Sequence, residues 1–128
     1  MSSLPITSLI AGIMTLLLVL LSVPVSLRRA KSNTVFGDAG DETLRRRIRA
    51  HGNFIEYAPL AVIAVGLMEY GGAVSWLVWL VGAGFLFSRV VHALGMLFTS
   101  TPTLRAIAML VNHAGFLAAG VWLVIYSI

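Results

Sequence analysis

The chain has 128 residues, 59% of them hydrophobic and only 11% charged, with a net charge of +4 and no cysteine. A soluble domain carries roughly 25% charged residues, so a mean hydropathy of +0.94 describes one domain whose surface faces lipid. The lack of cysteine excludes disulfides, thiolate metal sites and a cysteine nucleophile. The basic residues lie between apolar runs, with no separate soluble unit to present them to nucleic acid.

The first predicted element is an apolar helix over residues 5–27. It has no basic segment before it, and it is longer than the roughly 7–15 residues of a signal-peptide core. A retained transmembrane helix is the expectation. Arg28, Arg29 and Lys31 follow it, at the position of a headgroup anchor.

The second element, over 41–70, is less obvious. Asp38, Asp41 and Glu42 precede Leu44, which suits a helix start where acidic groups meet the positive end of the helix dipole. Arg45, Arg46, Arg47 and Arg49 come next, and the uninterrupted apolar stretch Tyr57 to Met68 is short. A bilayer core needs about 20 largely apolar helical residues. Extending the span back through Ile55 and Phe54 therefore brings Glu56 and Asn53 within or beside the membrane, facing protein or water rather than lipid. Gly71 and Gly72 end the helix.

The third and fourth elements, over 74–98 and 103–127, satisfy the length requirement directly. Arg89 and His92 lie one turn apart in the third, and Arg105 opens the fourth just after Pro102. Gly82 and Gly84 read as close-packing positions. Trp76, Trp79, Trp122 and Tyr126 fall near the ends of spans, where an aromatic belt is expected.

The four elements describe an all-α, integral-membrane four-helix bundle in a single domain over 1–128. Lys and Arg cluster at the first and third connections, while both termini and the Gly71–Ser75 turn have neither. The positive-inside rule then places the basic connections in the cytoplasm and the termini on the opposite side.

At about 100° per residue, Arg49, Asn53 and Glu56 share one stripe of the second helix. A cation, an amide and a carboxylate in a row suit a zwitterionic, peptide-like molecule. The same residues also suit a structural polar seam. Glu56 and Arg89 lie at similar depth and are expected to pair, since one buried charge requires another. His92 reads as an interhelical hydrogen-bonding group or as a catalyst. Arg105, at a helix N-terminus, suits either an anionic ligand or a lipid headgroup. No spacing for a metal site, a phosphate loop or a Ser-His-Asp arrangement is present.

The run Arg49-Ala-His-Gly-Asn-Phe-Ile-Glu-Tyr-Ala-Pro-Leu60, after a basic loop and before a short apolar helix, resembles the signature of the MAPEG family. These are the membrane-associated proteins of eicosanoid and glutathione metabolism. Ser26-Leu-Arg-Arg-Ala30, Arg89-Val-Val-His92 and Arg105 also resemble family positions, so the likeness covers nearly the whole chain.

The resemblance implies a homotrimer in a bacterial inner membrane, with glutathione as co-substrate held between subunits near the cytoplasmic side. It implies a transferase or peroxidase acting on hydrophobic electrophiles. Arg49, Asn53 and Glu56 would contact glutathione, assisted by Arg28 or Arg29, with Arg89 and His92 also at the site and Arg105 orienting or activating the thiol. Several family enzymes carry a tyrosine one turn beyond the His92 position, where this chain has Met96. That departure leaves a second expectation beside the first: a non-enzymatic glutathione- or lipid-binding protein that regulates a membrane partner.

Overall fold

A computed structural model describes residues 3–127 as four helices: α1 Pro5–Ser32, α2 Glu42–Tyr70, α3 Ser75–Phe98 and α4 Thr103–Tyr126. Consecutive helices pack side by side, with α1 also touching α3 and α2 touching α4. This is the all-α membrane bundle expected from the sequence.

The main difference in boundaries is at the end of α1, which continues five residues past the apolar run. Arg28 to Ser32 carry the helix beyond the lipid before Asn33 turns it off in a left-handed conformation at φ 50°. At 1.5 Å per residue α1 is about 42 Å long, against a hydrocarbon core of about 30 Å. Its last turns therefore stand in the headgroup region, where basic side chains reach water.

Three helices, α1, α3 and α4, are long and apolar enough to cross a membrane. Four arginines open α2, and Asn53, Glu56 and Glu69 interrupt the apolar part that follows, so its composition leaves it outside that class. It nevertheless lies among the other three and supplies much of the core. Its buried face is built from small residues, Ala50, Ala58, Ala61 and Ala64, together with Phe54, Val65 and Met68. Small side chains let neighbouring backbones approach, which is how helices gain contact where lipid is as apolar as the partner.

Gly82 on α3 does the same at the α1 contact, where an added Cβ would lie 3.2 Å from Ile10 Cγ1. Gly84 is less tightly held, its nearest neighbour being Val111 at 3.8 Å. The outward face is large and apolar, including Leu16, Leu20, Leu80, Leu110 and Leu117.

Two polar clasps close α1 and α2 against each other. At the basic end, Arg28 Nε meets Asp41 Oδ2 at 2.6 Å, while the other Asp41 oxygen accepts the Leu44 backbone N–H and caps α2. At the opposite end, α1 begins after Leu4, which brings no capping oxygen. The Glu69 carboxylate from the last turn of α2 accepts the backbone N–H groups of Ile6 and Thr7 at 3.0 and 2.7 Å. A negative group there also complements the α1 dipole.

Candidate functional site

At the basic end of the bundle, the first turns of α2 face the α3–α4 connection across a cleft of about 110 Å³. Glu42, Arg45, Arg46, Arg49, Met96 and Arg105 line it, with Thr99 and Ser100 at its edge. Four guanidinium groups thus share a small space with one carboxylate. Part of that charge is already engaged: Glu42 pairs with Arg46 at 2.9 Å and Arg45 at 3.4 Å, and Asp38 pairs with Arg45 at 2.7 Å. Among the described residues, Arg49 and Arg105 have no carboxylate within ion-pair distance.

Arg105 is placed by packing. Gly95 on α3 faces the first turn of α4 so closely that a Cβ there would lie 3.0 Å from Leu104 Cβ and 3.3 Å from the Arg105 backbone nitrogen. Arg105 Nη1 points at Met96 Sδ, 3.7 Å away, a weak acceptor for a cation. Its Nε is buried without a hydrogen-bond partner. An orphaned charged donor beside a cation-rich cleft is chemically suited to receive an anion.

The stripe expected on α2 divides in two. Arg49 and Glu56 are exposed and Asn53 is buried. Helical geometry accounts for this: Arg49 and Glu56 differ by about 20° around the axis, whereas Asn53 lies about 40° from the first and 60° from the second. That rotation carries the Asn53 side chain toward α3 and α4.

The expected Glu56–Arg89 pair is not formed, and this is a correction. Arg89 is buried at 2% exposure, yet its partners are neutral. Nη1 donates to Asn53 Oδ1 at 2.6 Å and to Asn53 O at 3.3 Å, and Nε donates to Ser88 Oγ at 3.2 Å. Nη2 approaches Met109 Sδ at 3.8 Å, and the guanidinium lies 4.9 Å from the centre of the Tyr57 ring. Asn53 reaches the cation first because it lies on the core side of Glu56. Every guanidinium nitrogen has a partner, and the ring face adds a cation–π contact.

The remaining site candidates are placed as follows. Arg28 is held by Asp41, and Arg29 Nη1 donates to the carbonyls of Val35 and Gly37. Both therefore order the α1–α2 loop within the protomer, and neither lines the Arg49–Arg105 cleft. His92 is buried one turn after Arg89, on the inner face of α3. Asn112 Oδ1 accepts from Ser88 Oγ at 3.5 Å, a bond between α4 and α3. No group of three or more metal-ligating side chains occurs among the described residues.

Glu69, Ser88 and Met109 escaped the sequence reading. Glu69 had a signal: α1 begins without a capping residue, and a lone carboxylate lies just before the Gly71–Gly72 turn, at the same end of the bundle. Ser88 and Met109 had none, because neither is unusual in an apolar helix.

Comparison with known proteins agrees with this layout. The chain matches the MAPEG family over residues 7–125. It is 36% identical over 90 residues to the inner membrane protein YecN of Escherichia coli K12, covering 70% of this chain and 69% of that one. The same values hold for YecN of Escherichia coli O6:H1, strain CFT073. No solved structure matches. With a match across nearly all of its length and four helices in a membrane-type bundle, the chain is an integral membrane protein that belongs to the MAPEG family.

Proposed function

We propose that this protein is a glutathione-dependent transferase or peroxidase of the inner membrane, acting as a homotrimer on hydrophobic electrophiles. The observation that carries the reading is the cleft in which Arg49 and Arg105 meet, with the buried Arg105 Nε lacking a partner. Glutathione brings two carboxylates, an amine and a thiol. Its carboxylates suit the unpaired guanidinium groups, and exposed Glu56 suits the amine.

In this reading the Arg105 guanidinium lies beside the sulfur and lowers the thiol pKa by favouring the charged form. The thiolate attacks an electrophilic carbon delivered from the bilayer. A sulfur–carbon bond forms and the leaving group departs with its electron pair, or an activated double bond takes the pair and then a proton. With a hydroperoxide, two glutathione molecules are oxidised to the disulfide while the hydroperoxide becomes an alcohol and water. The protein's part is position and charge. Arg28 or Arg29 of a neighbouring subunit would complete the site, with the basic loop cytoplasmic and the termini outside.

Isothermal calorimetry with glutathione, followed by conjugation of a model aryl halide, tests the proposal. Saturable binding with turnover supports it. No heat and no conjugate would refute it.

Met96 favours a second reading. A thioether offers Arg105 no hydrogen-bond donor to share with a thiolate, and it already occupies Nη1. A trimer that binds glutathione without chemistry and regulates a membrane partner would show tight binding, no thiolate absorbance and no product.

A further inference from the structure

A second cavity, of about 400 Å³, opens at the same end of the bundle but between α1, α2 and α3 of one protomer. Its apolar wall is formed by Leu20 and Leu21 of α1, with Leu21 buried and Leu20 on the lipid-facing side, and by Phe98 at the end of α3. Its mouth carries Thr43, Arg46 and Arg47 from the start of α2. Arg46 is the one residue it shares with the Arg49–Arg105 cleft.

The charges at this mouth do not cancel. Arg46 is engaged by Glu42 and by the Thr99 carbonyl. Arg47 gives Nη1 to the Pro24 carbonyl at 3.1 Å, and among the described residues no carboxylate lies within ion-pair distance of it. One uncompensated cation therefore stands over an apolar slot.

The depth is also set. Leu20 lies eight residues before Arg28, which marks the loop level through its pair with Asp41, so the α1 residues of the slot reach about 12 Å below that level. That distance crosses from the headgroup layer into the acyl region.

We propose that this cavity binds one anionic phospholipid of the surrounding bilayer. The phosphodiester lies against Arg47 and the Thr43 hydroxyl, and one acyl chain begins its course along Leu20 and Leu21 while the rest of the lipid remains in the membrane. Arg47 supplies the electrostatic attraction expected of a basic residue at an anionic leaflet. The slot supplies the selectivity that an exposed basic patch lacks. The site is separate from the proposed glutathione cleft and does not depend on that assignment.

Native mass spectrometry of protein released from nanodiscs of phosphatidylethanolamine with a minor fraction of phosphatidylglycerol provides the test. The expected result is one phosphatidylglycerol retained per chain, in preference to phosphatidylethanolamine. Arg47→Gln should reduce retention about fivefold, and Leu20→Trp, which fills the slot from an exposed position, should abolish it in a chain that keeps all of its arginines. Arg49→Gln, in the other cleft, should retain the lipid. Equal retention of the two lipids, or retention unaffected by Leu20→Trp, overturns the proposal. So does displacement of the lipid by millimolar glycerol 3-phosphate, which would mean that the headgroup alone is recognised.

Discussion

Asn53 Oδ1 accepts the Arg89 Nη1–H at 2.6 Å, and the Asn53 backbone carbonyl accepts from the same nitrogen at 3.3 Å. One residue of α2 thus satisfies most of one face of a buried guanidinium on α3. The cation is held in the bundle by neutral oxygens, sulfur and a ring rather than by a carboxylate.

Asn53→Leu removes the side-chain acceptor and leaves the Arg89 charge short of a partner. It should cost about 2–3 kcal/mol, the scale of a hydrogen bond to a charged group. Thermal unfolding in detergent measures the loss. Arg89→Met in the Asn53→Leu background should recover part of it, because the stranded charge is then gone. Additive losses would show that the two side chains do not act as a pair.

Glu69→Ala strips the acceptor from the Ile6 and Thr7 N–H groups. The expected cost is about 1 kcal/mol, as for loss of a helix cap. Hydrogen exchange should quicken at the first turn of α1 and stay unchanged at the centre of α3. A uniform acceleration would instead indicate a global role for Glu69.

The α1–α2 loop should depend on pH. The Asp41 carboxyl is held below its ordinary value by the hydrogen bond from Arg28 and then by the Leu44 N–H. Asp38 is held down by the hydrogen bond from Arg45 and then by the Gly40 N–H. A carboxyl whose folded pKa is depressed contributes stability above its unfolded value of about 3.9, and that contribution disappears as pH falls through the folded value. Protease resistance of the loop should therefore be constant from neutral pH down to about 5 and fall only in stronger acid. Asp41→Asn should weaken it throughout. A drop in the wild type near pH 6 would point to histidine instead.

Much of this architecture was legible in advance because lipid imposes length and periodicity. Four helices, their order and the basic end followed from apolar run length and arginine placement. The start of α2 at Asp41 followed from acidic residues ahead of an apolar pattern. The misassigned Glu56–Arg89 pair has a rotational cause: depth along a helix could be counted, but a 60° difference around it decided whether Asn53 or Glu56 reached the core. Clasps between distant residues, such as Glu69 with Ile6, depend on which helix ends meet in space. Linear spacing carries that information only weakly.

Gly95→Val tests the placement of Arg105. The added side chain must displace Leu104 or the Arg105 backbone, moving the guanidinium away from the cleft. If Arg105 activates the thiol, thiolate absorbance and conjugation should fall at least about tenfold, the effect of a 1.4 kcal/mol change. Under the same reading Arg49 would still hold a carboxylate, so glutathione affinity should fall less. Equal loss of both would assign Arg105 to binding alone.

Met96→Tyr places a hydroxyl donor opposite Arg105. Under the transferase reading it should raise the thiolate fraction of bound glutathione, measured by ultraviolet difference spectroscopy. Under the regulatory reading it should leave the bound thiol protonated.

The two clasps between α1 and α2 also act as a ruler. Arg28 with Asp41 at one end and Glu69 with Ile6 and Thr7 at the other fix the same pair of helices at two levels. A slip of one helical turn, about 5.4 Å, would undo both at once. The Ile6–Glu69 join also sets an order of events in synthesis: the opening turn of α1 receives its acceptor only after the whole of α2 has been made and brought back across the bilayer. The α1–α2 hairpin is therefore locked last at its open end.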